Sequence, residues 1–153
     1  MCGIHGFISQ KLSVASAKSL IKKMVDSTQH RGPDFSDYSS IPPVYFGHNR
    51  LSIIDLSEGS NQPMTIGKYT IVYNGEVYNY KEIRAKLKQK GVAFSTSSDT
   101  EVILQSFIVN GEKCVEEFVG MEPLADIIAP MKFVWASNSW YFASTTKSPT
   151  PQL

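Results

Sequence analysis

Apolar residues near the start of the chain follow first a strand pattern and then a helical one. The segment Gly3–Ser9 is short, apolar and contains glycine, which predicts a buried strand. Apolar residues then recur at helical spacing from Leu20 to Val25, and Ser13 precedes them as a candidate N-cap. We therefore expect a strand followed by a helix.

The middle of the chain alternates short apolar segments with turn residues. Three of these segments are rich in β-branched or aromatic residues and follow a loop at Arg31–Asp34. They are Val44–Phe46, Arg50–Ile54 and Tyr69–Tyr73. Runs of this length between turn residues are typical of strands, so we expect a sheet here.

The pattern becomes helical again at Tyr80–Lys90. Ile83 and Leu87 lie four residues apart among charged side chains, which predicts an exposed amphipathic helix. Gly91 follows at the position where glycine commonly ends a helix. Val92–Phe94 then predicts another short strand.

A further helical pattern begins at Ser98–Glu101, whose residues match a capping box. Gly111 ends this pattern, and Glu112–Val119 predicts another short helix. Helices and strands are mixed without an internal repeat or a long linker. This organisation favours a single layered α+β unit.

Length and charge narrow the classes of protein that fit this chain. Its 153 residues match one domain, and 15 Lys and Arg against 14 Asp and Glu give a net charge of +1. A nearly neutral chain argues against nucleic acid or anionic lipid as a partner. No apolar run approaches the roughly 18 residues of a membrane helix, and the N-terminus lacks a signal-peptide pattern. We therefore expect a cytoplasmic protein that does not bind membranes.

Cysteine and histidine usage argues against a metal or a disulfide framework. The two cysteines, Cys2 and Cys114, are too few for either a disulfide scaffold or a cysteine-based zinc site. The three histidines, His5, His30 and His48, lack metal-ligand spacing, so we assign them to packing and hydrogen bonding. Cys114 lies on an apolar helical stripe, which predicts a buried structural thiol.

Cys2 is a candidate nucleophile. Removal of Met1 would leave a thiol and a free α-amine on the same residue, and that amine can act as general base for the thiol. The alternative is that Cys2 is an ordinary frayed terminal residue. The residues alone leave both interpretations open.

Asn74 and Gly75 are candidates for an oxyanion hole. A side-chain amide beside a backbone N–H could stabilise the negative charge that forms when an amide is attacked. The same dipeptide is also typical of a type I′ hairpin turn between Ile71–Tyr73 and Val77–Tyr78. Local sequence does not decide between the two.

Three charged residues could bind an α-amino acid. Arg50 could hold a carboxylate, and Glu76 and Asp99 could hold an ammonium group. The alternatives are a surface salt bridge for Arg50 and a helix-dipole role for Asp99. Nucleotide-binding motifs are absent: the chain has no phosphate loop, no Gly-x-Gly-x-x-Gly and no Ser-Gly-Gly-x-Asp-Ser.

Six sequence blocks occur in order over about the first 120 residues. The blocks are Met1–Ile4, Arg31–Asp34, Gly47–Asp55, Gln62–Met64, Tyr73–Asn79 and Ser98–Glu101. Together they resemble the glutaminase domain of glutamine-hydrolysing asparagine synthetases, a class II glutamine amidotransferase with an N-terminal nucleophile. This resemblance implies a four-layer α/β/β/α sandwich of antiparallel sheets.

The resemblance also implies a mechanism. Cys2 attacks the side-chain amide of L-glutamine, its α-amine carries the proton, and Asn74 with Gly75 stabilises the oxyanion. A thioester forms, ammonia leaves, and water releases glutamate. No cofactor is implied for this domain, because ATP and magnesium belong to the synthetase domain of the family.

The same family pattern assigns the substrate contacts. Arg50 holds the α-carboxylate of glutamine, while Glu76 and Asp99 hold its α-ammonium. We expect no synthetase domain on this chain, so the expected ammonia acceptor is a separate synthetase chain. The alternative is an inactive truncated remnant, or a module that binds glutamine without hydrolysing it.

The resemblance covers residues 1–121 and stops before the tail at 122–153. We favour a frameshifted or spliced gene as the source of this tail, because Pro123 and Pro130 are poor residues for a central strand. The alternative is a divergent hairpin in which Lys132–Trp135 pairs with Trp140–Ala143. We therefore expect the sandwich to be incomplete at its C-terminal end.

Overall fold

In a computed structural model, the structure describes residues 2–120 and the backbone of two later strands at 132–136 and 139–143. These residues form α-helices and antiparallel strands, which confirms the α+β class. None of the described helices has the length and apolar character needed to cross a membrane. In chain order the elements are β1 (Gly3–Ile8), α1 (Val14–Ser27), β2 (Phe35–Ile41), β3 (Val44–Arg50), β4 (Met64–Ile66), β5 (Tyr69–Val72), α2 (Tyr80–Gln89), α3 (Asp99–Asn110), β6 (Lys132–Ala136) and β7 (Ser139–Ala143).

The first sheet has the order β1–β3–β2, with β3 antiparallel to both neighbours. All seven residues of β3 are buried, because this central strand is covered on both faces. On one face Tyr45 packs against Ala17 and Ile21 of α1. On the other face Val44 and Phe46 pack against the second sheet.

The second sheet has the order β4–β5–β6–β7. Val72 of β5 faces β3, whereas Ile71 faces a larger cluster formed with α2 and α3. In that cluster Leu87 of α2 and Leu104 of α3 are almost fully buried. The first sheet is therefore packed between α1 and the second sheet, and α2 and α3 pack on the second sheet.

The three α-helices are confirmed, and their caps explain where two of them begin. The Ser13 side chain accepts the Ser16 N–H at 3.1 Å, and the Ser98 side chain accepts the Glu101 N–H at 3.2 Å. The capping box at Ser98 is only half formed, because the Glu101 carboxylate instead accepts the backbone N–H groups of Ser95 and Thr96. The short helix expected at 112–119 is present as a 3₁₀ helix, Gly111–Glu117.

The expected strand at Arg50–Ile54 is wrong beyond its first residue. Strand β3 ends at Arg50, and Ile53 is 75% exposed. The backbone N–H groups that follow bind side chains instead of a strand: Leu51 donates to Cys2 Sγ at 3.3 Å and Ser52 to an Asp34 carboxylate oxygen at 2.7 Å. Apolar β-branched residues therefore lie in a loop here.

The expected strand at Val92–Phe94 is also wrong, since these residues form no strand. The Val92 N–H donates to the Leu87 carbonyl at 3.1 Å and so completes the end of α2. The Phe94 ring lies 4.4 Å from the Arg84 guanidinium. Strands β2 and β4 were not expected from the sequence.

The tail predictions fall mainly outside the described residues, which end at Gly120 except for β6 and β7. The backbones of these two strands pair with each other, with Trp135 opposite Trp140, and β6 also pairs with β5. This is the pairing that the hairpin alternative expects. The division of the chain at residue 121 and the frameshift origin of the tail stay predictions.

Gly32 is required where the Arg31–Asp34 loop passes β3. A Cβ atom on Gly32 would lie 2.3 Å from the carbonyl carbon and oxygen of Asn49, and backbone atoms cannot move aside as a flexible side chain can. We expect Gly32→Ala to lower the free energy of unfolding by more than about 2 kcal/mol, in urea titrations. Gly6→Ala is the matched control, because its Cβ would meet Phe46 and Tyr45 atoms only at 3.4 Å. Equal stabilities of the two variants would contradict this account.

His48 makes stability depend on pH. Burial lowers the pKa of His48 to about 4, against the opposing effect of its bond to the Tyr73 carbonyl. In the unfolded chain this histidine takes up its proton near pH 6.5. The free energy of unfolding therefore falls as the pH drops from about 6.5 to about 4, by up to about 3 kcal/mol. We expect His48→Gln to weaken the pH dependence of the unfolding free energy, in urea titrations repeated between pH 4 and pH 7. A His48→Gln profile parallel to that of the unmodified chain would disprove the assignment.

Candidate active site

Cys2 is held at the end of the first sheet. Gly3 pairs with Asn49, so Cys2 lies just before the paired part of β1, beside the C-terminal end of β3. Its half-buried Sγ accepts the Leu51 N–H at 3.3 Å and lies 3.7 Å from the Leu51 carbonyl oxygen. The interpretation of Cys2 as a frayed residue does not fit this contact.

Arg50 is buried at the same end of β3, with 7% of its surface exposed. Its Nη1 donates to the Ser57 carbonyl at 2.9 Å and to Asn61 Oδ1 at 2.7 Å, and its Nη2 donates to the Asp55 carbonyl. Within the described part of the chain it forms no ion pair, so the surface salt-bridge interpretation is wrong. A guanidinium has five N–H donors. The described contacts use three of them, which leaves Nε–H and one Nη2–H without a described acceptor.

Asp55 connects the Arg50 loop to the segment before α3. One carboxylate oxygen accepts the Ser57 N–H at 2.8 Å, and the other accepts both the N–H and the hydroxyl of Ser97 at 2.7 Å. Burial would raise the pKa of Asp55, but the hydrogen bonds from Ser57 and Ser97 outweigh it and hold the pKa well below its usual range. Asp55 therefore stays charged and ties two loops together. Sequence reasoning gave it no role.

Asp99 and Glu76 form a negative pair at the N-terminus of α3. Asp99 is 5% exposed, and its carboxylate accepts the Val77 N–H at 3.1 Å, so the residue after Glu76 is bound directly to α3. Burial raises the pKa of Asp99, and the nearby Glu76 carboxylate adds to this effect against backbone hydrogen bonds from Val77 and Thr100. Two carboxylates that repel each other favour the arrival of a cation. A helix-dipole role alone does not account for this pairing.

Asn74 and Gly75 follow β5 directly, and they do not form the type I′ hairpin turn. That turn needs positive φ at both central residues, and among the described residues only Gly67, Gly91 and Gly111 have positive φ. Asn74 is half-buried and Gly75 is exposed. A Cβ on Gly75 would lie 2.6 Å from the Tyr73 hydroxyl oxygen, so glycine is needed for this close approach.

Hydrogen bonds of buried side chains bring these segments together. Gln62 Oε1 accepts the Tyr73 N–H at 2.5 Å, and Gln62 Nε2 donates to the Thr100 hydroxyl at 3.3 Å. His48 Nε2 lies 3.3 Å from the Tyr73 carbonyl oxygen, which agrees with its expected hydrogen-bonding role. Gln62 and Asp55 both lie in sequence blocks that carry the family resemblance, but the sequence assigned no role to either residue. Cys114 is buried, as expected.

The described residues thus place a thiol and a buried guanidinium at the end of β3, and an amide and two carboxylates beside the N-terminus of α3. Within the described residues, no three His, Cys, Asp or Glu side chains cluster so that they could hold a metal ion. The arrangement offers a thiol that could act as nucleophile, hydrogen-bond donors and both charges complementary to an amino acid.

Comparison with known proteins agrees with this chemistry. Residues 1–126 match the family described as a glutamine amidotransferase domain. The chain is 41% identical over 125 residues to asparagine synthetase [glutamine-hydrolyzing] 3 of Bacillus subtilis, covering 79% of this chain and 20% of that protein. It is 36% identical over 169 residues to asparagine synthetase [glutamine-hydrolyzing] 1 of the same organism, covering 97% and 26%. A maize asparagine synthetase [glutamine-hydrolyzing] is 37% identical over 123 residues, covering 79% and 20%.

The chain therefore spans about a fifth to a quarter of the length of these curated relatives. The family match, in contrast, extends over most of the chain, from the residue before Cys2 to beyond α3. It includes every candidate site residue described above. On this match, the chain belongs to the glutamine amidotransferase domain family.

Proposed function

We propose that this chain hydrolyses L-glutamine to glutamate and ammonia, as the glutaminase part of an asparagine synthetase. The observation that carries the proposal is that the candidate site holds both charges: a buried guanidinium at the end of β3 and two carboxylates at the N-terminus of α3. Arg50 is buried with its Nε–H and one Nη2–H uncommitted among the described contacts, and the carboxylates of Glu76 and Asp99 are near enough to repel each other. These groups complement the carboxylate and the ammonium of an α-amino acid.

The substrate contacts follow from this geometry. The Nε and Nη2 edge of Arg50 binds the α-carboxylate in a bidentate manner. Asp99 and Glu76 bind the α-ammonium, which relieves the repulsion between their own charges. The side-chain amide of glutamine then extends toward Cys2.

Hydrolysis proceeds through a thioester on Cys2. After Met1 has been removed, the free α-amine takes the thiol proton while sulfur attacks the amide carbon, and the oxygen becomes an oxyanion held by Asn74 Nδ2 and the Gly75 N–H. The intermediate collapses, the C–N bond breaks, and the amine returns the proton to the leaving ammonia. Water, deprotonated by the same amine, then attacks the thioester. Glutamate leaves and the thiol is restored.

The wider arrangement is also part of the proposal. The contacts of α1, the two sheets, and α2 with α3 support a four-layer α/β/β/α sandwich of the N-terminal-nucleophile type. A separate synthetase chain would accept the ammonia, and ATP and magnesium would act there. This chain itself would work in the cytoplasm without a cofactor.

Replacing Cys2 tests the nucleophile. We expect Cys2→Ala to lower glutamate release from glutamine by at least about 1,000-fold, because no other group forms the thioester. Cys114→Ala is the matched control: it removes the other thiol, which is buried in the core cluster with α2 and α3, and should retain hydrolysis. Mass spectrometry of the intact chain should show that Met1 has been lost. With hydroxylamine added to the reaction, γ-glutamyl hydroxamate should be released as a product, because hydroxylamine attacks the thioester in place of water. Undiminished glutamate release by Cys2→Ala would exclude the mechanism.

Asp99→Asn tests recognition of the ammonium. Asparagine keeps an oxygen for the Val77 N–H but loses the negative charge, so we expect KM for glutamine to rise about 10- to 100-fold. Glutaramate, which is glutamine without its amino group, provides the comparison. The unmodified chain should prefer glutamine to glutaramate in competition, and Asp99→Asn should lose most of that preference. Asp37→Asn, at an exposed carboxylate on β2, should keep it. If Asp99→Asn still discriminates between the two compounds, Asp99 does not bind the ammonium.

A further inference from the structure

Tyr73 joins β5 to the segment that carries Asn74 and Gly75, and side chains hold both of its backbone polar groups. Its N–H donates to Gln62 Oε1 at 2.5 Å, and its carbonyl oxygen lies 3.3 Å from His48 Nε2. The peptide plane between Tyr73 and Asn74 contains that carbonyl. Its orientation therefore determines where the Asn74 side chain begins.

His48 acts on this peptide as a hydrogen-bond donor. The partner is a carbonyl oxygen, so Nε2 carries the proton, and the ring is neutral with a lone pair on Nδ1. Nδ1 is buried and has no hydrogen-bond partner among the described residues. His48 has no exposed surface at all. Among the described contacts, the bond to the Tyr73 carbonyl is thus the one hydrogen bond that this buried ring makes.

Gln62 binds the other side of Tyr73 and extends the connection to α3. Its carbonyl oxygen accepts from Tyr73, while its amide nitrogen donates to the hydroxyl of Thr100, the residue after Asp99. Gln62 is 7% exposed, so both bonds are formed away from bulk water. One side chain therefore sets the position of the Asn74 segment relative to the carboxylate of Asp99.

We propose that His48 and Gln62 are positioning residues for glutamine hydrolysis, which clamp the Tyr73 backbone and thereby aim the Asn74 and Gly75 donors at the oxyanion. This inference rests on the proposed function. Neither residue touches the substrate. They act because a donor lowers the barrier only when it is aimed before the charge forms.

This role has a kinetic signature. The oxyanion exists in the transition state and not in bound glutamine, so misplaced donors lower kcat and leave KM nearly unchanged. Loss of one aimed donor costs about 100- to 1,000-fold in kcat, and a donor that is displaced but present costs less. We expect His48→Leu and Gln62→Met each to lower kcat about 10- to 100-fold, with KM within about 3-fold.

Two further variants separate positioning from a general loss of stability. His48→Gln can place an amide N–H near the position of Nε2 and should recover most of kcat. Ile83→Val removes one methyl group from the core cluster that also contains Tyr73, but it leaves both hydrogen bonds of the Tyr73 backbone in place, so it should lower the unfolding temperature without changing kcat. The inference is overturned if Ile83→Val loses as much kcat as His48→Leu at similar stability, or if His48→Gln is no more active than His48→Leu.

A measurement without substrate distinguishes this inference from the proposed function. In ¹⁵N relaxation, the Gly75 amide of His48→Leu should have a lower order parameter than that of the unmodified chain or of Ile83→Val. If the unmodified chain fails to hydrolyse glutamine, the proposed function fails, whereas this comparison still decides whether His48 holds the segment. An unchanged Gly75 order parameter in His48→Leu overturns the positioning role.

Discussion

The burial of polar residues at the end of β3 is the constraint on which the rest of the structure depends. This strand is central in its sheet and covered on both faces, yet it ends in His48, Asn49 and Arg50. Buried polar groups need hydrogen-bond partners, and each of these residues finds them in a different part of the chain. His48 binds the end of β5, Asn49 binds the Val25 carbonyl at the end of α1, and Arg50 binds the loop that follows it. The hydrogen bonds that these buried polar groups require therefore bring the segments of the candidate site together.

The sequence predicts the helices well because their signals are local. Ser13 and Ser98 are N-caps, as expected, and their bonds reach only three residues along the chain. The errors occur where distant partners decide the backbone. Ile53 and Ile54 have the residue types of a strand, but the preceding N–H groups bind Cys2 and Asp34. β2 is an edge strand rich in polar residues and β4 has three residues, so neither has a distinct hydrophobic pattern.

In the candidate site, too, features that depend on distant residues could not be predicted from the local sequence. Residue types alone left Asn74 and Gly75 undecided between an oxyanion hole and a hairpin turn, and the backbone excludes the turn. Arg50 and Asp99 could be named from the sequence as groups that suit an amino acid. The residues that hold them, Asp55 and Gln62, could not, because their partners are 42 and 38 residues away and have no fixed spacing. Only folded coordinates identify such pairs.

These long sequence separations have a consequence for folding. The helices and the β2–β3 hairpin close over short sequence separations, whereas the bonds from Asp55 to Ser97 and from Gln62 to Thr100 join residues 42 and 38 positions apart. Contacts between distant residues cost more loop-closure entropy and form more slowly, so we expect the candidate site to be completed late in folding. A nascent chain that has acquired its secondary structure would then carry every side chain of the candidate site before those side chains reach their final arrangement.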